Sequence, residues 1–178
     1  MNEQGAPSLT ASQQAMGDLW HRHVLAEFVT KHVEDALETM TEDAHVLLIP
    51  VLTGGVGKDE VRKFYSHHFI PQMPPDMESI LVSQTIGDDR LVEEAIYKFT
   101  HSMAMEWMLP GIAPTGKRIE VAVVGIIHFR EDKIAHEHLY WDQASVLVQL
   151  GLLDADTPAV AGVASARKLL DPILSSRN

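Results

Sequence analysis

Residues 134–143 read IAHEHLYWDQ, a run rich in strand-forming residues that also carries two histidines, a glutamate, a tyrosine, a tryptophan and an aspartate. Side chains alternate across a strand, so Ala135, Glu137, Leu139 and Trp141 share one face and Ile134, His136, His138, Tyr140 and Asp142 the other. The turn before this run decides which set meets the core, because a slip of one residue inverts every side chain. In the preceding strand, RIEVAVVGIIHFR at 118–130, Ile119, Val121, Val123, Gly125, Ile127 and Phe129 form the apolar face. A two-residue turn at Glu131-Asp132 would set both histidines beside Val123 and Ile127. A three-residue turn through Arg130, Glu131 and Asp132, with Asp132 left-handed, would instead align Ala135, Glu137, Leu139 and Trp141 with that face. The second choice keeps apolar residues together and is the expected one. It sets Glu137 opposite Gly125, where a missing side chain leaves room over the sheet.

A lone carboxylate among apolar neighbours finds a hydrogen-bonding partner or takes a raised pKa. The adjoining strand, expected over Leu91 to Met105, offers a partner: Tyr97, Phe99, His101, Met103 and Met105 form its more apolar alternation, and His101 alone among them is an ionisable acid–base group near neutrality. His101 and Glu137 in one cavity could act as acid and base, or form a purely structural pair. His23, on a helical stripe beside Trp20, is a third candidate, read first as a satisfied buried histidine. His136-x-His138, with His128 diagonal to it, could ligate a metal through neutral imidazoles. The expected register turns these rings outward with no carboxylate to complete the set, so no metal and no cofactor is expected. A polar outer face or subunit contact is the plainer reading. His67 and His68 are adjacent on a helix and cannot share a face.

Around this hairpin the chain reads as helices first, then strands. Met16, Leu19, Trp20, His23, Val24, Glu27 and Phe28 recur at spacings of three and four, predicting a helix from Gln14. A second helix spans about Lys31 to Met40. HVLLIPVL at 45–52 has strand propensity, and its Pro50 predicts an edge or a bulge. GGVGKDE at 54–60 invites comparison with a phosphate-binding loop but fails it: Asp59 stands where a serine or threonine should follow the lysine, and Leu52 occupies the first glycine position. It is read as a helix start, with Val61, Phe64, Tyr65 and Phe69 on one face. Strands are expected at 78–86 and 118–130, a helix at 143–153, and a last helix capped at Thr157-Pro158. The order predicts an α+β fold, with helices on one face of a curved, mostly antiparallel sheet. Domain organisation is a tail over 1–12, one domain over 13–154, and a C-terminal helix and tail over 155–178.

At 178 residues the chain suits one domain. Its 25 acidic against 14 basic residues give a net charge of −11, which repels nucleic acid and anionic lipid surfaces. The absence of cysteine excludes disulfides, thiolate catalysis and zinc–thiolate sites. The polar start MNEQGAPSLTAS has no signal-peptide character, and no apolar run approaches the roughly 20 residues of a membrane span, so a cytoplasmic protein is expected.

The opening helical pair, FTHSM at 99–103, LPGIAPTGKRIEV at 109–121, VVGIIHFREDKI at 123–134 and above all EHLYWDQASVLVQLGLL at 137–153 resemble the SnoaL-like branch of the nuclear transport factor 2-like superfamily. The resemblance covers roughly 14–153. It implies a cone-shaped α+β barrel, a strongly bent sheet wrapped against N-terminal helices around an apolar pocket. Members of the superfamily include polyketide cyclases, a ketosteroid isomerase, a limonene-epoxide hydrolase, dehydratases and non-catalytic binding domains. An acid or base on the long middle strand or the last strand commonly serves catalysis, which maps onto His101 and Glu137. The cyclase and epoxide-hydrolase branches use an aspartate on the inner face, where this chain has Leu139 and His101; Asp142 falls at the strand end, as a helix cap. The resemblance implies a small hydrophobic ligand with a carbonyl or ring, in a pocket lined by Trp20, His23, Phe64, Tyr97, Phe99, Met103, Met105, Val123, Leu139 and Trp141. It implies isomerisation, cyclisation or hydrolysis, or else binding alone, and a homodimer paired through the outer sheet face.

Overall fold

The computed structural model describes residues 8–171; 1–7 and 172–178, the ends of the two expected tails, lie outside them. The first helix, α1 (Ala11–Phe28), starts inside the expected N-terminal tail because Thr10 caps it. The Thr10 hydroxyl accepts the Gln13 N–H, and the Gln13 side chain accepts the Thr10 N–H in return. Its buried residues Met16, Trp20, His23, Ala26 and Glu27 follow helical spacing and face the sheet. A short α2 (Val33–Glu38) leads into β1 (Met40–Leu48), which ends before Pro50; β2 (Thr53–Val56) folds back on it antiparallel.

The glycines of 54–57 serve this fold-back, not an anion. A Cβ on Gly54 would stand 1.9 Å from the Val46 carbonyl oxygen, and its φ of +129° suits glycine alone. Gly57 then opens α3 (Lys58–Phe64), which runs on through a π-helical turn at Tyr65–Phe69 and a 3-10 turn at Ile70–Gln72. The meander follows as β3 (Glu78–Ile86), β4 (Arg90–Thr100), β5 (Arg118–Arg130) and β6 (Lys133–Trp141). The sheet order is β2-β1-β6-β5-β4-β3, curved and unclosed, and antiparallel except where β1 runs parallel to β6. This is the expected α+β architecture of a bent sheet against N-terminal helices.

Two expectations about strands need correction. The strand expected to reach Met105 stops at Thr100, where Asp76 takes the Thr100 N–H at 3.1 Å and its hydroxyl at 2.7 Å. Met103 and Met105 therefore lie in the 101–117 connector. The β5–β6 turn has two residues, not three: Glu131 (φ 54°) and Asp132 (φ 58°) are both left-handed, and Arg130 pairs with Lys133. The ladder then slips by one. Phe129 pairs with Ile134 and His128 with His136, so Ala135 is the extra residue of a bulge. The bulge turns Glu137 inward, the outcome expected of a longer turn, but opposite Ile127; Leu139 is what faces Gly125.

At the end of β6, Asp142 caps α4 (Gln143–Leu150), accepting the Ser145 N–H at 3.1 Å. The last helix, α5, runs Ala164–Leu170 and begins after Val163; Thr157-Pro158 form a turn before it. Among the described residues no helix is long and apolar enough to cross a membrane.

Candidate functional site

Five polar side chains from four separate stretches meet under α1. His23 and Glu27 project from successive turns of α1, Thr39 precedes β1, Tyr65 follows α3, and Glu137 comes from β6; His23, Thr39 and Tyr65 are fully buried, and Glu27 and Glu137 nearly so. Their hydrogen bonds fix the proton positions. The Thr39 hydroxyl donates to the Ala36 carbonyl at 2.5 Å, so toward His23 Nδ1, at 2.7 Å, it can only accept. Nδ1 therefore carries a proton.

On the other side of the ring, Nε2 lies 3.2 Å from Glu27 Oε1, 3.2 Å from Tyr65 Oη and 3.7 Å from Glu137 Oε2. Tyr65 spends its own proton on Glu137 Oε2 at 3.3 Å. Nε2 thus faces acceptors only and is protonated as well, making His23 an imidazolium. The electrostatics agree. Burial alone would lower the His23 pKa, but Glu27 and Glu137 outweigh it and raise it to about 10. Trp20 stacks on the ring at 5.5 Å, 16° from parallel, and donates its Nε1–H to Glu93 at 3.0 Å. Burial and the Glu27 charge raise the pKa of Glu137, against the pull of His23 and Tyr65. Burial and the two carboxylates likewise hold Tyr65 well above its usual value.

Glu137 also forms part of the wall of a recess of about 270 Å³ between α1, the segment after Phe69 and the inner sheet face. Trp20, Glu27, Phe69, Trp107 and Leu139 lie deep in it; Tyr97 and Glu93 line its side, and Val29, Lys31 and Pro75 its rim. Burial raises the pKa of Tyr97, so its hydroxyl remains a donor at any ordinary pH. Of the residues expected to line a pocket, Trp20, Tyr97 and Leu139 do so. Phe64, Phe99, Met105, Val123 and Trp141 are core residues that do not line it, Met103 packs against that core, and His23 lies in the buried cluster and not on the recess surface. The recess carries three carboxylates and a lysine, and is more polar than expected.

His101 is not brought to Glu137. Its backbone pairs with Lys117 just before β5, whereas Glu137 sits beside Ile127 near the opposite end of that strand. His101 is buried, with Nδ1 accepting the Thr115 N–H at 3.3 Å and Nε2 lacking a partner; burial lowers its pKa. It holds the connector closed. The partner of Glu137 is instead His23. Tyr65 and Glu27 were visible in the sequence only as members of apolar stripes; a glutamate on such a stripe, four residues after a histidine, was the available signal. His23, Glu27 and Glu137 also offer three donor atoms within 4.8 Å, a set that fits a cation chemically and is equally complete around the imidazolium proton.

Structural relatives bear out the architecture. A candidate SnoaL-like polyketide cyclase from Jannaschia sp. CCS1 superposes with a TM-score of 0.64 at 17% identity, covering 84% of this chain and 99% of that one. AclR, a candidate hydroxylase from Streptomyces galilaeus, gives 0.61 at 20% identity over 88% and 92%. A ketosteroid isomerase-like protein from Catenulispora acidiphila, solved with trimethylamine, gives 0.59 at 15% over 79% and 98%. At such identities the likeness is one of fold. No curated protein matches the chain by sequence. The SnoaL-like domain model, however, matches residues 21–137, more than half of the chain and the span from just before His23 in α1 to Glu137. The chain therefore belongs to the SnoaL-like domain family.

Proposed function

We propose that the protein is an acid/base enzyme acting on a small hydrophobic cyclic or carbonyl compound, with Glu137 as the proton-transferring group at the wall of the recess. The supporting observation is that Glu137 is buried, has a raised pKa and is backed by a buried imidazolium. A carboxyl group tuned upward from its usual range can take and return a proton near neutral pH. Tyr97 would donate a hydrogen bond to the oxygen on which charge develops. His23 and Tyr65 act through Glu137 as positioning residues, so His23 takes the place that the sequence suggested for His101. Isomerisation, cyclisation and hydrolysis all need such a proton transfer. We also propose a homodimer, since Val124, Ile126 and Tyr140 leave the outer sheet face partly exposed.

The test is deuterium exchange. Cyclic ketones of graded size are incubated with the protein in D2O, and exchange at the carbon next to the carbonyl is followed by proton NMR. Exchange catalysed by the wild type and lost in Glu137→Gln is expected. Saturable binding without exchange for any ketone would leave a ligand-binding module instead.

A further inference from the structure

On the outer face of the sheet, away from the recess, four imidazoles converge. His45 of β1 pairs in register with His136 of β6, and His128 of β5 pairs with His136 from the other side. His138 follows two positions on and points the same way. His45 and His136 lie with ring centroids 4.9 Å apart, His136 and His138 4.3 Å apart. His45 Nε2 faces His138 Nε2 at 3.0 Å. One nitrogen from each of His45, His136 and His138 falls within a span of 4.8 Å. Burial, then repulsion from the neighbouring rings, pushes His136 down to about 4, and burial also lowers His138.

We propose that His45, His136 and His138 form a binding site for one divalent transition-metal ion, of the zinc, cobalt, nickel or copper kind. Imidazole nitrogens bind such ions at about 2.0–2.1 Å in tetrahedral array, which separates them by roughly 3.3 Å. The His45–His138 pair already stands near that spacing, so small ring rotations suffice. All three rings are half-buried and open on one side, which leaves a fourth position for water. Oxygen-seeking calcium and magnesium do not suit the donor set. His128 stays outside the triplet, its Nε2 held 3.4 Å from Asp89. The sequence alone suggested His136 and His138 with His128 diagonal to them, and no carboxylate to complete the set. His45 takes the place of His128; it comes from β1, which reaches β6 through the parallel pairing. The ion would tie those two strands together.

The untagged full chain, stripped by chelator, is titrated with zinc chloride by calorimetry. One ion per chain is expected, with a raised Tm. His45→Gln and His138→Gln should each weaken binding by at least about 100-fold, the upper end of what losing an outer partner alone costs; His67→Gln should leave it unchanged. Absence of saturable one-to-one binding, or binding undiminished in both variants, overturns the proposal. Copper(II) paramagnetic resonance on the wild type gives a readout independent of variant folding. Hyperfine coupling to three nitrogens supports the site. Coupling to one would place the ion at His23, Glu27 and Glu137 and overturn it.

Discussion

His23 is held between an acceptor on one side and two carboxylates on the other, and its charge is what makes those carboxylates tolerable in the interior. Removing it in His23→Leu leaves Glu27 and Glu137 buried without a counterion. A loss of about 3–5 kcal/mol is expected, measured by urea unfolding. The same proton predicts the pH dependence. His23 titrates near 6.5 when unfolded and about 10 when folded, so its stabilisation is complete below pH 6.5 and disappears as pH rises through 10. Between those limits stability should fall by about 1.4 kcal/mol per pH unit. Glu137, also raised, acts with the same sign from lower pH. A flat urea midpoint across this window would refute the imidazolium. Glu137→Gln should remove turnover while leaving stability equal or higher by about 1 kcal/mol, because a buried carboxylate becomes a neutral amide.

At the scale of elements, the β5–β6 hairpin sets the aim of the site. Its turn holds two non-glycine residues in left-handed conformation, each a costly placement. Replacing Glu131-Asp132 with Asn-Gly should stabilise the protein by about 1 kcal/mol, seen as a higher urea midpoint. Deleting Ala135 should only close the bulge, because Ile134 and His136 already face Phe129 and His128; Glu137 stays opposite Ile127 and inward, and heat denaturation should still show one cooperative transition. The direction of Glu137 was legible from the clustering of apolar residues, but the device behind it was not. A bulge leaves no mark in an alternating pattern, and Ala135 suits either face. The end of β4 at Thr100 was equally hidden, because Met103 and Met105 prolong the alternation while the bonds from Asp76 come from a distant loop.

For the whole molecule, the sheet separates two histidine clusters: His23 with its carboxylates beneath α1, and His45, His128, His136 and His138 on the outer face. The proposed dimer would bury part of that outer face. Light scattering at micromolar concentration should give twice the 19.8 kDa of the chain; the chain mass itself would exclude the dimer. Charge also acts at this scale, for a net charge of −11 favours neutral or cationic ligands over anionic ones at the recess mouth.

Local pattern determined most of the helices and strands, though not β2, the end of β4 or the start of α5; it also determined which faces are apolar, that Asp142 caps a helix and that Glu137 points inward, because burial imposes periodicity on neighbouring residues. Only the tertiary structure decided that His23, and not His101, meets Glu137, that Tyr65 and Glu27 complete the cluster, and that His45 joins the outer histidines. These contacts join residues far apart in the chain, and their geometry depends on how α1 and β1 dock on β6, which no local periodicity records.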